Sequence, residues 1–431
     1  MEVSQKEIFA LFYEQNDYTQ VFVSHAVEAA YGEVRGKKVY ALCQNGEAFS
    51  PSDCKQMIGL LKLAAQTGHP VVTFYHSSGA KVEEGLEILQ QTAQVTQTIG
   101  EISGVVPQIA VVLGVCGATA AMQAACADLC IMAKQGQMFL TPPFVSAASG
   151  AVLEGAGSAD FAQKAGVAAA IYDTVEQTIA AACDLVMLLP SNNLDGGKAL
   201  EFSPPEKPLN MQDYCRIRAG ASLIDHNRDF ELYPQYGKKN SYTALGTICG
   251  VTVGVVATSD RYLEPQSAEK IARFVRLCDS YSIPVLTLIH TNGFVKDSAE
   301  DLAGGIRQAA RLAATYADAT TPKIAILAGK VIGSIYGALC CADLTIAVEG
   351  CVVAPLEPQA AVEVLYHQQK NSPTPEEYAA NECSAQAALQ AGIAQLYATP
   401  ETLRSVAEQA LEMVLNKRAK RMNKKHGNMA L

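Results

Sequence analysis

The sequence predicts an α/β fold built twice from one repeated unit, and three observations carry that expectation. Pro70-Val-Val-Thr-Phe-Tyr-His-Ser-Ser-Gly79 and Pro284-Val-Leu-Thr-Leu-Ile-His-Thr-Asn-Gly293 share a proline, a β-rich apolar run, a histidine, two small polar residues and a glycine. Pro107-Gln-Ile-Ala-Val-Val-Leu-Gly114 matches Pro322-Lys-Ile-Ala-Ile-Leu-Ala-Gly329 in the same order, at an offset of ~215 residues, as duplication of a whole domain requires. The apolar runs 70–75, 109–113, 284–289 and 324–328 are short, unbroken and alternate with helical patterns, which is how parallel strands buried on both faces read.

The helical patterns follow in order. Lys55 to Ala65 carries Met57, Ile58, Leu60, Leu61 and Ala64 on one face, before the first strand. Glu269 to Tyr281 carries Ile271, Phe274, Val275 and Cys278 in the same place in the second copy. Glu83–Ile99 and Asp301–Tyr316 are the crossovers after the two glycines. The second strand of each copy leads into a helix of small residues, then Ala127-Asp128-Leu129 or Ala342-Asp343-Leu344, then a short apolar run. Pro190 to Pro208, with Gly196-Gly197 and Pro204-Pro205, reads as a linker. The expected domains are residues 1–195 and 210–431.

Composition narrows the function. At 431 residues the chain exceeds one ordinary domain, and 49% hydrophobic residues permit large cores. A net charge of −10 argues against nucleic acid as partner. The basic run Lys417 to Lys425 reads as a solvated helix end. The polar, acidic start carries no secretory signal pattern, and no stretch approaches the ~20 apolar residues of a spanning helix. A cytoplasmic protein is expected. Its 13 cysteines occupy small-residue core positions rather than a disulfide framework, and Cys126 and Cys130 have no companions for a zinc site.

Chemistry is sparse. Gly114-Val-Cys-Gly-Ala-Thr-Ala-Ala121 and Gly329-Lys-Val-Ile-Gly-Ser-Ile-Tyr336 each turn from a strand into a helix. Such a turn leaves backbone N–H groups for an anion or developing oxyanion, or its small residues merely permit close packing. Gly329-Lys330 lacks the rest of a phosphate loop, there is no GxSxG elbow, and no carboxylate pair stands out. His76 and His290 are the titratable residues repeated at equivalent strand ends. They read either as groups that bind a substrate oxygen or as loop caps. With Gly79 and Gly293 they are the candidate substrate-binding residues.

At these residues the chain resembles the carboxyltransferase subunits of biotin-dependent acyl-CoA carboxylases and sodium-pumping acyl-CoA decarboxylases. The likeness runs from about Gly32 onward. It is firmest at Ser103-Gly-Val-Val-Pro-Gln-Ile109, Leu188-Leu-Pro-Ser-Asn-Asn193, Ala272-Arg-Phe-Val-Arg-Leu-Cys-Asp279, Asn292-Gly-Phe294 and Ala317-Asp-Ala-Thr-Thr-Pro-Lys323. The resemblance implies two tandem crotonase-like (ClpP/crotonase) domains and a ligase-type carboxyl transfer between biotin and an acyl-CoA. It places one oxyanion hole at Ala118-Thr119, facing biotin, and the other at Gly333-Ser334-Ile335, facing the thioester oxygen. It also implies a homo-oligomer in which one subunit's first domain meets another's second.

No biotinyl-lysine context or ATP-binding domain is present. Biotin therefore arrives on a biotin carboxyl carrier protein, with biotin carboxylase or a membrane decarboxylase subunit as further partners. A place peripheral to such a membrane complex is compatible with this. The coenzyme A thioester is the substrate.

The sequence departs from the family at its turns. Ala118 and Thr119 stand where two glycines are usual, and Ser334 and Ile335 where Gly-Ala is usual. His76 replaces a common aspartate and Lys81 a common arginine. Leu356-Glu-Pro-Gln-Ala360 replaces Met-Gly-Pro-Glu-Gly. Two other readings therefore stand beside transfer: a biotin-independent crotonase-type enzyme using His76 or His290, and a non-catalytic scaffold.

Overall fold

Each proline-led apolar run is a strand, and each is flanked by the helices its pattern predicts. In the computed structural model the described residues are 4–148, 150, 153–197, 199–205, 223–237, 240–367 and 371–419. They fall into two units, 1–197 and 198–431.

The first unit runs α1 (Gln5–Phe12), β1 (Tyr18–Val23), β2 (Val27–Val34), β3 (Lys37–Gln44), α2 (Pro51–Thr67), β4 (Val71–Ser77), α3 (Gly85–Ile102), β5 (Gln108–Gly117), α4 (Thr119–Cys126) and β6 (Leu129–Ala133). It continues through β7 (Gln137–Phe139), α5 (Pro143–Ala148), α6 (Ala159–Lys164), β8 (Ala170–Tyr172) and α7 (Val175–Leu188). Its sheet order is β1-β2-β3-β4-β5-β6-β8, with β7 paired to the end of β5.

The second unit repeats the plan. It contains β9 (Phe230–Glu231), β10 (Ser241–Ile248), β11 (Val251–Thr258), α8 (Pro265–Ser280), β12 (Val285–Thr291), α9 (Ser298–Leu302), α10 (Gly305–Asp318), β13 (Lys323–Ile332) and α11 (Ser334–Leu339). Then come β14 (Leu344–Val348), β15 (Val352–Ala354), α12 (Pro358–Leu365), α13 (Pro375–Glu382), α14 (Ala385–Gln390), β16 (Leu396–Ala398) and α15 (Leu403–Val414). Its order is β16-β14-β13-β12-β11-β10-β9, with β15 paired to β13.

The predicted parallel strands are parallel: β3 to β4, β4 to β5 and β5 to β6, and likewise β11 to β12, β12 to β13 and β13 to β14. One side of each sheet differs from the expectation of parallel strands alone. β1-β2-β3 and β9-β10-β11 are antiparallel. The cause is local. Arg35-Gly36 and Cys249-Gly250 take positive φ at both central positions (51° and 75°; 50° and 76°). Two-residue turns of that kind match the right-handed twist of the strands they join. The two X-Gly pairs were the available sequence signal.

The helices have local reasons to start and stop. Ser50 and Asp53 form a capping box at α2, and Gly68 ends it at φ 71°. The repeated Ala-Asp-Leu also acquires a purpose. The Asp128 carboxylate accepts the Gln108 N–H at 2.8 Å, and Asp343 accepts the Lys323 N–H at 2.8 Å. Each aspartate thus pins the first residue of the central strand after its proline. Lys417 is not the freely solvated cation expected of the basic run. It pairs with Asp343 at 2.8 Å. Lys420 and the rest of that run lie outside the described residues, as do residues 198 and 206–208 of the expected linker.

Both cores are apolar, with continuous burial along Gln108–Leu113 and Lys323–Ala328. Of the cysteines, Cys43, Cys54, Cys116, Cys130, Cys183, Cys278, Cys351 and Cys383 are buried, while Cys126, Cys249 and Cys341 are exposed. Lys270 and Lys323 are both buried, and burial lowers the pKa of each. Lys270 on α8 donates to the Ser241 carbonyl at 3.0 Å, and burial pushes its ammonium down to about 8. The unfolded chain therefore holds this proton more tightly than the folded one. Stability is lowered by roughly 3 kcal/mol while both states are protonated, below pH ~8, and recovers as pH rises toward ~10.4. Melting temperature should rise between pH 8 and 9.5, and Lys270→Met should flatten that rise.

Candidate functional site

The two strand-to-helix turns have one shape. Ala118, between β5 and α4, has φ 51° and ψ −122°; Gly333, between β13 and α11, has φ 65° and ψ −134°. The short strands β7 and β15 run parallel to the ends of β5 and β13. They add one more rung to each ladder. The Ala118 N–H donates to the Phe139 carbonyl at 2.8 Å, and the Gly333 N–H to the Ala354 carbonyl at 2.8 Å.

The amides of Ala118 and Gly333 are spent in the sheet. The amides that begin the helices, at Thr119 and Ala120 and at Ser334 and Ile335, have no acceptor within the helix. Of the five expected residues, Thr119, Ser334 and Ile335 carry amides at the helix starts, while Ala118 and Gly333 set the turn. Ala120 was not among them, because the second helical position is known only once the start of α4 is. Ser334 is exposed and Thr119 half-buried.

Ala118 holds a conformation that favours glycine. Strain of ~1–3 kcal/mol is expected there, set against the ~0.5–1 kcal/mol of extra entropy that glycine loses on folding. Ala118→Gly should therefore raise the unfolding free energy by about 1 kcal/mol, read by denaturant titration.

The histidines sit at matching irregularities. Between Tyr75 and Ser77, the pairing on β5 jumps from Val112 to Cys116. Between Ile289 and Thr291, the pairing on β13 jumps from Leu327 to Val331. Each bulge takes an amide out of the ladder, and the histidine ring takes it up. The His76 Nδ1 accepts the Val115 N–H at 3.2 Å, and the His290 Nδ1 accepts the Lys330 N–H at 2.8 Å. Their own amides donate to the Gln44 Oε1 at 3.2 Å and the Thr258 Oγ1 at 2.9 Å. Gly114 and Gly329 make room, since a methyl at either would overlap the imidazole.

Accepting through Nδ1 requires a neutral ring with its proton on Nε2. Burial holds His290 below the usual histidine range, with Asp260 opposing and Lys330 adding to the effect. The loop-cap reading thus has a specific geometric basis in both copies.

Gly79 and Gly293 close the following loops. At φ 109° and 118° their carbonyls accept from the Phe49 N–H at 2.9 Å and the Leu263 N–H at 2.8 Å. Their amides donate to the Ser77 Oγ at 3.0 Å and the Thr291 Oγ1 at 3.4 Å. Both backbone groups of each glycine are therefore engaged, which makes these residues shapers of the loop beside the site.

The second unit contains a cleft of about 590 Å³ beside its turn. Ser334 and Ala338 of α11, Ile306 of α10, and Leu263, Phe294 and Val295 line it. Glu357, at one of the departures from the family pattern, braces the neighbouring loops. It accepts the Tyr262 hydroxyl at 3.0 Å and pairs with Lys296 at 3.6 Å, while Lys296 lies 5.0 Å from the Tyr262 ring centre. The first unit has a cleft of about 480 Å³ lined by Lys134, Gln137, Phe144 and Ser158 among others. Among the described residues no group of three His, Cys, Asp or Glu side chains is placed to hold a metal. None of their helices is long and apolar enough to cross a membrane.

The chain is 29% identical to the methylmalonyl-CoA decarboxylase subunit alpha of Propionigenium modestum, over 95% of this chain and 86% of that protein. It is 28% identical to the propionyl-CoA carboxylase carboxyltransferase subunit of Haloferax mediterranei, over 94% and 86%. The structure of transcarboxylase 12S, a hexamer solved with hydrolysed methylmalonyl-coenzyme A bound, superposes with a TM-score of 0.91 at 26% identity, covering 99% of this chain and 92% of that one. The duplicated α/β fold and the resemblance read from the sequence are borne out. With the carboxyl transferase domain model matching residues 3–429, the chain belongs to the carboxyl transferase domain family.

Proposed function

We propose that this carboxyltransferase moves a carboxyl group between biotin, borne on a separate carrier protein, and an acyl-CoA thioester. The two units are its two carboxyltransferase domains. The turn at Thr119-Ala120 serves biotin and the turn at Ser334-Ile335 serves the thioester. The observation that carries the reading is the pair of equivalent turns, each offering helix-first amides with no acceptor within the helix. Two oxygens that gain negative charge, one on each partner, need two such donor sets.

Carrier-borne biotin supplies the carboxyl group and, once relieved of it, a base. On this reading no side chain of the protein need serve as the base. The protein's part is to orient the partners and to donate hydrogen bonds to the thioester oxygen as it becomes an enolate. Donors fixed in a turn cost no reorganisation when that charge develops.

The test uses the full chain with a carboxylated, biotinylated carrier protein and a panel of acyl-CoAs. Transfer without ATP supports the reading. Acyl-CoA turnover that ignores the carrier would replace it with a biotin-independent crotonase-type activity. Carrier binding without thioester binding would leave a scaffold, the reading favoured by the side chains at Ala118 and Ser334. Self-association into a dimer or a ring of dimers also belongs to the proposal, as does a cytoplasmic location beside a biotin carboxylase or membrane decarboxylase subunit. A sedimentation profile showing only the 45.7 kDa species at micromolar concentration would contradict the assembly.

A further inference from the structure

We infer that the cleft of the second unit takes the acyl arm of the thioester, and that this arm is an extended apolar chain without a carboxylate at its far end. The inference rests on the second turn serving the thioester, as proposed above, and deepens it to a substrate class.

Position is the first argument. Ser334, Gly337 and Ala338 of α11 form one wall, and Ile306, Ala310 and Ala313 of α10 face it. A thioester oxygen at the Ser334 amide therefore has one of its two arms leaving along this cleft. The pantetheine arm carries amides. Apart from Ser334, the wall here consists of alanine, glycine, Leu263, Pro265, Phe294, Val295 and Ile306 and the two acidic side chains Glu300 and Asp301. Pantetheine amides would lose hydrogen bonds to water along the apolar part of this wall, at a cost that an alkyl chain does not incur. Exposed Ile306 and Leu302 beside it also gain by being covered.

Charge is the second argument. The charged residues of the lining, Glu300 and Asp301, are both acidic, and among the described residues no lysine or arginine lines the cleft. A distal carboxylate would leave water and meet like charge, which selects against such acyl groups. The carboxyl group that is transferred is unaffected, because it sits on the carbon next to the thioester, at the turn.

Isothermal titration of the full chain with acetyl-CoA, hexanoyl-CoA and adipoyl-CoA tests this. Each buried methylene contributes up to about fourfold in affinity, from ~0.8 kcal/mol per CH₂. Hexanoyl-CoA should therefore bind at least ~10-fold more tightly than acetyl-CoA, and adipoyl-CoA no more tightly than acetyl-CoA. The exposed position Ala310 tolerates enlargement, so Ala310→Phe should compress the hexanoyl-to-acetyl ratio. The double variant Glu300→Gln, Asp301→Asn should selectively improve adipoyl-CoA. Equal affinity for acetyl-CoA and hexanoyl-CoA overturns the inference while leaving the thioester assignment standing; a cleft filled by a second copy of the chain would give that result. Tighter binding of adipoyl-CoA than of hexanoyl-CoA overturns the charge argument. Failure of all three to bind overturns the thioester assignment as well.

Discussion

Gly333→Val should abolish carboxyl transfer while leaving a folded protein. Gly333 sits at φ 65°, where valine is strongly disfavoured, and a Cβ there would lie 3.3 Å from the Pro355 carbonyl. The turn must rotate, and the Ser334 and Ile335 amides leave their aim. Losing one aligned oxyanion donor costs about 10²–10³ in kcat, and this substitution moves both. Ser334→Pro is the sharper companion. Proline is tolerated as the first residue of a helix, so this variant deletes one N–H with little disturbance to α11. Its kcat should fall by roughly 10²-fold with a smaller change in acyl-CoA affinity. Melting temperature and transfer rate are measured together. Normal turnover by folded Gly333→Val removes this turn from the mechanism.

Gly329→Ala should destabilise the protein by about 3 kcal/mol, although it adds only one methyl. The methyl occupies space held by the His290 ring. Overpacking costs ~1–3 kcal/mol, and displacing the ring orphans the Lys330 N–H, at a further ~1–3 kcal/mol. The cost should depend on the histidine. In a His290→Ala background the same methyl should cost less than about 1 kcal/mol, a coupling that a double-mutant cycle reads directly. Equal cost in both backgrounds would refute the contact. Gly114→Ala against His76→Ala should behave alike.

The pH dependence of His290 follows from the same geometry. Its folded pKa lies below the ordinary value, so the unfolded chain takes up the proton first as pH falls. The histidine's contribution should be present above pH ~6.5 and fade as pH drops below that value. His290→Gln should remove this acid limb from the stability profile.

Much of this molecule was legible in its residues, because the relevant signals are local and are written twice. Short β-rich runs such as Val71–Tyr75 and Ile324–Leu327 read as strands covered on both faces, and they are buried. Their repetition in order, down to Ala-Asp-Leu, disclosed the duplication before any contact was known. The small residues after two equivalent strands marked the matching strand-to-helix turns at Ala118 and Gly333.

Tertiary structure decided the rest, and in each case the reason is that a backbone group's partner lies far away in sequence. The amides of Ala118 and Gly333 are spent because β7 and β15 return alongside β5 and β13. The histidines face bulges that exist only once β4 pairs with β5 and β12 with β13. An imidazole that reads from sequence as a catalytic base is, in that setting, the acceptor for an amide the sheet leaves over. The cleft beside Ser334 arises where α10 packs against α11. Residue types fixed which groups could hydrogen-bond; which of them remained free was settled only when the sheet had closed around them.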